Sequence, residues 1–337
     1  IAVCDRWTYV ARTLVATLIY ISPASMAAAA PHGVAKVLEK IKSTVESGSF
    51  YEAQQMYKTV YHRHRAKKQL PESYQILKEG AIQQLGKAQA TCGVELGLLL
   101  VQAYTQDAVE PEGEALQGVC DVIRALPPPS APGGSSSSQG AGASTGPSGD
   151  ATALEEYVRL VAAAAKWAAG KSRAGPGARQ VHDLFAAYLW AHYGMQQLGR
   201  VTQHYARGAQ PKEYAKVITA AAARGRPEER DLFVAHAVLH ILATAHKANI
   251  ATQWHHAKAV LSTCQELMGA DALKTPLMSF LALLFQALQL KSLPLFMLLR
   301  DRYRDSLQLD PSYEVLLSGI QAVYLGARGG GGFGGPL

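Results

Sequence analysis

Apolar residues recur along this chain at helical spacing, and the stretch from Val34 to Arg65 shows the pattern most plainly. Val34, Val37, Leu38, Ile41 and Val45 form one stripe. Gly48 follows, able to end a helix in the left-handed region without a Cβ clash. Ser49 with Glu52 three residues on has capping-box spacing, and Phe50, Ala53, Met56 or Tyr57, and Val60 share the face of a second helix. Two amphipathic helices with almost no loop between them predict a helical hairpin. Neither can bury its stripe alone, so further helices have to cover them.

The same spacing predicts helices from Pro71 to about Lys87, with Tyr74, Leu77, Ala81 and Leu85 inward, and from Ala90 to Gln106, carrying Val94, Leu98, Val101 and Tyr104. Gly113 to Leu126 makes a fifth. The pattern resumes over Thr152–Ala169, Ala178–Tyr193, Met195–Arg207, Pro211–Ala223, Pro227–Ala245, Ile250–Leu267, Thr275–Leu290, Ser292–Leu307 and Pro311–Leu325. Asp310 before Pro311 is an N-cap followed by proline at the first helical position. The expected fold is all-α: a right-handed α-solenoid of stacked antiparallel hairpins. Its period is tetratricopeptide-like, without that repeat's tryptophan–leucine–glycine and proline signature.

Composition divides the chain. Residues 1–31 lack a clean helical face and read as an N-terminal extension. A basic residue, a short apolar run and small residues there also fit a signal peptide, but Met26 followed by AAAAPHG favours an upstream translated extension. Residues 32–126 form one helical half and 150–326 another. Pro127–Gly149 is a proline, glycine and serine insert with too little apolar area to offset ordering entropy, and 327–337 is a glycine-rich tail. The insert is equally consistent with one long loop in a continuous solenoid.

With 337 residues, 48% of them hydrophobic, the chain can bury a large core. Its formal net charge of +7 allows nucleic acid, an acidic membrane or an acidic protein surface as partner. The basic residues are spread out, however, with only Arg63, Arg65, Lys67 and Lys68 clustered, and no nucleic-acid motif accompanies them. Cys4, Cys92, Cys120 and Cys264 form no C-x-x-C pair, which suits buried thiols in a reducing compartment.

Two constellations invite chemistry and fail to support it. Ala165 to Ser172 (AKWAAGKS) satisfies a relaxed phosphate-loop pattern. It follows a helix rather than a strand, so Trp167 reads as core and Gly170 as a helix end. His236 and His240 are spaced to share a zinc ion from one helix face, but Ala237 replaces the general-base glutamate of metalloproteases. Hydrogen-bonded histidines between helices, with His255 and His256 on different faces, are the simpler reading. No enzyme, cofactor or metal is expected.

The run GSFYEAQQMY from Gly48 to Tyr57 resembles the Golgi-to-ER traffic protein four family, the scaffold subunit of the tail-anchored protein targeting pathway. The likeness continues through Ala163–Trp167 (AAAKW), His182 to Trp190, Asp231–Leu239 (DLFVAHAVL), Pro276–Phe280 (PLMSF) and Asp310–Tyr313 (DPSY). It implies a non-catalytic cytosolic adaptor that docks a homodimeric, arsenical-pump-like targeting ATPase through its N-terminal face. The C-terminal face would hold a ubiquitin-like-domain protein, which brings chaperones with their tail-anchored clients. Carried over by position, the ATPase contacts are Lys36, Phe50, Tyr51, Arg63 and Lys67. Phe50 replaces a frequent tyrosine and Ser49 an acidic cap.

The apolar helices Leu277–Leu290 and Leu293–Leu299 supply more hydrophobic surface than one solenoid end needs, and Phe280, Leu284, Leu295 and Leu298 are the expected ubiquitin-like partner contacts. The link Gly269–Lys274 is too short for much of the hairpin that relatives carry there. A helical-repeat subunit of another assembly, proteasome-lid or signalosome-like, is the alternative, though the closing region lacks a winged-helix pattern.

Overall fold

A computed structural model describes residues 32–129, 147–170, 175–269 and 274–326. The expected N-terminal extension, nearly all of the insert, the short link after Gly269 and the glycine tail lie outside these residues. Every regular element among the described residues is helical, and the chain divides by packing into two units, Ile1–Gly194 and Met195–Leu337.

In the first unit α1 (His32–Glu46), α2 (Phe50–Ala66), α3 (Leu70–Gly86) and α4 (Ala90–Gln106) follow one another through three-residue turns. The turns repeat. Gly48, Lys68, Ala88 and Ala108 all have positive φ (84°, 59°, 58° and 51°) and stand twenty residues apart. Each turn closes with the same bonds: Lys68 N–H donates to Arg65 O and Gln69 N–H to His64 O, at 2.9 and 3.0 Å. Ala88 and Gln89 repeat this onto Leu85 O and Gln84 O, both at 2.9 Å. Such a turn satisfies the last carbonyls of one helix and launches the next antiparallel to it. Glycine marks only the first turn, so the other three carry no glycine signal in the sequence.

The expected capping box does not form. Ser49 has ψ of 61° and its side chain makes no cap hydrogen bond; the preceding turn already fixes its backbone away from the extended geometry a cap requires.

The core of this unit follows the apolar stripes. Leu38, Ile41, Tyr57, Leu77, Leu85 and Leu100 are buried, and Gly80 lets α3 lie against α2. A Cβ at Gly80 would stand 2.8 Å from Tyr57 Cγ. Two buried side chains bond across helices: Tyr57 Oη donates to Gln83 Oε1 at 2.7 Å, and Gln84 Nε2 to Phe50 O at 2.9 Å.

Beyond α4 the order of packing departs from sequential stacking. α5 (Gly113–Arg124), α6 (Pro147–Ala168) and α7 (Pro176–Tyr193) complete the unit. α4 packs first on α3 and next on α6, while α5 sits against α7 and α3. Helices on both sides of the proline–serine insert thus belong to one unit, which ends at Gly194. The reason is non-local: the segment between α5 and α6 is long enough to let α6 choose α4 over its neighbour in sequence.

The second unit holds α8 (Leu198–Tyr205), α9 (Pro211–Ala222), α10 (Arg230–Ala243), α11 (Ile250–Met268), α12 (Pro276–Gln289), α13 (Leu293–Arg302), α14 (Arg304–Leu307) and α15 (Ser312–Ile320). α10 is central, touching α9, α11, α12 and α15. Thr275 and Ser292 cap their helices through side-chain oxygens that accept from Met278 and Leu295 N–H, each at 3.3 Å. Asp310 Oδ1 accepts from Ser312 N–H at 2.8 Å, so Asp310 caps as expected, while the helix itself starts at Ser312, one residue after Pro311. The predicted helix Ser292–Leu307 breaks at Tyr303 into α13 and α14.

Candidate interaction surfaces

The first surface is built on the α1–α2 hairpin. Thr44 lies opposite Met56, its Oγ1 3.9 Å from the Met56 sulfur. Stepping back along both antiparallel helices sets Lys36 level with His64, so Lys36, Arg63 and Lys67 share one end of the hairpin. All three side chains are exposed, and no carboxylate among the described residues lies within ion-pair distance of them. Phe50 and Tyr51 stand at the other end, beside the Gly48 turn. At 1.5 Å per residue, Tyr51 is about 18 Å from Arg63 along α2. The structure therefore brings the three cations together and keeps the aromatic pair apart from them. Tyr51 is 71% exposed and Phe50 half-buried.

Arg65, from the same basic cluster, is committed elsewhere. Its guanidinium grips Asp107 with two bonds of 2.6 and 2.7 Å, and Tyr74 Oη donates to Asp107 Oδ2 at 2.6 Å. These bonds, Arg65's first, hold the Asp107 carboxyl below the usual carboxylate range. The network ties the end of α2 to the turn after α4 and to α3, and it commits the paired ends of the Arg65 guanidinium to Asp107. Sequence proximity alone could not separate Arg65 from Arg63; two residues along the helix, about 200° of rotation, turn one inward and the other out.

The second surface lies in the second unit, and here two expected contacts are corrected. Phe280 and Leu284 are fully buried, at 0% exposure, in the face that α12 turns to α10 and α13. Neither can meet a partner without opening the core. Leu295 is half-buried and Leu298 is 63% exposed. Met297 and Leu290, on the same two-helix segment, also reach solvent, at 48% and 70%. Because α12 and α13 are apolar on more than one face, hydrophobicity alone does not tell the inner stripe from the outer one.

The two motifs weighed for chemistry have structural explanations. Trp167 is buried near the end of α6, stacked on Tyr104 with centroids 5.1 Å apart, and donates Nε1–H to Val109 O at 3.0 Å. Gly170, with φ of 56°, follows the helix end. His236 Nδ1 lies 3.4 Å from both Asp310 Oδ2 and Ser312 Oγ, joining α10 to the start of α15. His240 sits 6.0 Å away between ring centroids, with Nδ1 buried and unpartnered. Burial, helped by His236 and Arg207, pushes its pKa down to about 4, so its ring is neutral. His255 is exposed and His256 buried, facing Tyr205 O at 3.1 Å.

With this geometry established, comparison with known proteins is informative. A family profile described as "Golgi to ER traffic protein 4" matches residues 67–332. The chain is 27% identical over 299 residues to "Golgi to ER traffic protein 4 homolog" of Bos taurus, covering 87% of this chain and 81% of that protein. It is 25% identical over 296 residues to "Protein GET4" of Arabidopsis thaliana, covering 86% and 90%. Among solved structures, that of C. therm. Get4 superposes with a TM-score of 0.67 at 17% identity, over 88% of this chain and 90% of the other, and so shares its fold. The profile covers most of the described helices, from the turn after α2 to the closing segment, and the chain belongs to the Golgi to ER traffic protein 4 family.

Proposed function

We propose that this chain is a non-catalytic scaffold in the cytosolic targeting of tail-anchored proteins to the endoplasmic reticulum. It bridges a targeting ATPase and a ubiquitin-like-domain partner. Family membership supports the coarser role in Golgi-to-ER traffic. No helix among the described residues is long and apolar enough to cross a membrane.

One observation carries the finer reading. Each unit presents exposed side chains whose chemistry its own fold does not use: cations at Lys36, Arg63 and Lys67 in one, apolar groups at Leu290, Met297 and Leu298 in the other. The cations suit an acidic protein face, where they act through steering and remain sensitive to salt. The apolar groups suit the hydrophobic stripe of a partner helix. Tyr51, about 18 Å from the cations, is a separate anchor on the hairpin if one ATPase subunit spans both ends of α2.

The test is binding with purified partners. The double variant Lys36→Glu, Arg63→Glu should slow association with the nucleotide-bound ATPase about tenfold or more at low salt, with a smaller deficit at high salt. Leu298→Asp should abolish binding of the ubiquitin-like protein and leave the ATPase untouched. Unchanged ATPase association for the double variant at low salt would place the docking face elsewhere. Equal loss of both partners in Leu298→Asp would show a folding defect instead of a bridging surface.

A further inference from the structure

One side chain bonds the helix that carries Leu298 to the closing segment of the chain, residues 312–326. That helix, α13, buries only Phe296 and Leu299 of its ten residues and lies close to α12 and α14. Among the described residues, every hydrogen bond between α13 and the closing segment is made by Arg300.

The two ends of the Arg300 guanidinium reach different residues. Nη2 pairs with the Glu314 carboxylate, and Nη1 donates to Gln321 Oε1 at 3.4 Å. Glu314 and Gln321 are about two helical turns apart, so they stand on one face, roughly 10 Å from each other along the axis. A planar fork that grips both points resists sliding of α13 along that face as well as rotation.

Arg300 is held on its own helix too. Its guanidinium carbon stands 5.9 Å from the centroid of the fully buried Phe296 ring. The Arg300 side chain is 21% exposed, against 69% for Glu314. A pair with one partner so far in water adds little to global stability. A short helix with two buried side chains has little packing of its own, however, and there weak bonds decide where the element sits.

We infer that Arg300 is a positioning residue: bonded to Glu314 and Gln321, it holds α13 where Leu298 meets the ubiquitin-like partner. This rests on the docking surface proposed above. Leu298 stands on the same turn of α13 as Arg300, so a shift or tilt of the helix carries it along. Were α13 loose, the partner would have to order it on binding, and affinity would fall by that ordering cost.

The experiment compares the full chain, Arg300→Glu, and the charge swap Arg300→Glu with Glu314→Arg. Hydrogen exchange without any partner comes first. The single variant opposes like charges, so α13 amides should exchange about fivefold faster while those of α12 keep their rates, and the swap should restore protection. Affinity for the purified ubiquitin-like-domain protein should follow, falling about three- to fivefold in the single variant and recovering in the swap, with one melting midpoint for all three. Unchanged α13 exchange in the single variant overturns the inference, as does faster exchange with undiminished affinity. An affinity loss that the swap fails to recover also overturns it, because Arg300 would then touch the partner itself. Full binding by Leu298→Asp would refute the docking surface, and the positioning role with it.

Discussion

The turns that repeat along the first unit offer a direct test of its folding physics. Ala88 and Ala108 occupy the left-handed region with φ of 58° and 51°. For a residue with a Cβ this conformation costs about 1–2 kcal/mol. Glycine removes that cost but adds conformational entropy to the unfolded chain, worth about 0.4–1 kcal/mol. The balance predicts that Ala88→Gly and Ala108→Gly each stabilise by roughly 0.5–1 kcal/mol.

The two sites stand at opposite ends of the 17-residue helix α4, about 25 Å apart, so their effects should add. Gly48→Ala should do the reverse by a similar amount. A Cβ at Gly48, φ 84°, would meet nothing within 4 Å, so the cost there is in the backbone alone. Urea denaturation followed at 222 nm gives the free energies, and m-values should not change. The sign decides the matter. An alanine in a helix interior loses about 1 kcal/mol on conversion to glycine, so destabilisation by Ala88→Gly would mean that α3 and α4 run on through this position and no turn exists.

Two other outcomes follow from particular contacts. Gly80→Ala should destabilise by about 1–3 kcal/mol through overpacking, because the new methyl meets the fully buried Tyr57 ring at 2.8 Å; pairing it with Tyr57→Leu should recover part of the loss, as measured by melting. His240 has a folded pKa near 4 against 6.5 unfolded, so the unfolded state binds more protons between those values and stability is lost as pH falls. From pH 7.5 to 5 this amounts to about 2 kcal/mol. Denaturation of the wild type and of His240→Leu across that range should differ in slope, and parallel curves would refute a neutral buried imidazole.

What the sequence determined by itself is local. Helical periodicity and Gly48 mark out the first hairpin, and each helix of the first unit lies where the spacing of apolar residues puts it. Helix formation depends on neighbours three and four residues away, which a reader of the sequence sees together. The residues GSFYEAQQMY and DLFVAHAVL were enough to point to the family. The tertiary structure decided everything that rests on distant partners. It chose α6 over α5 as the companion of α4, so helices on both sides of the insert belong to one unit, which ends at Gly194. It turned Phe280 and Leu284 into core and left Leu290, Met297 and Leu298 outside, since an all-round apolar helix does not specify which stripe will be covered. It spent Arg65 on Asp107 while leaving Arg63 in solvent, and it joined Arg300 to Glu314. Those residues stand on separate helices, and only the packing of the helices, set by buried area across long sequence separations, could bring them together.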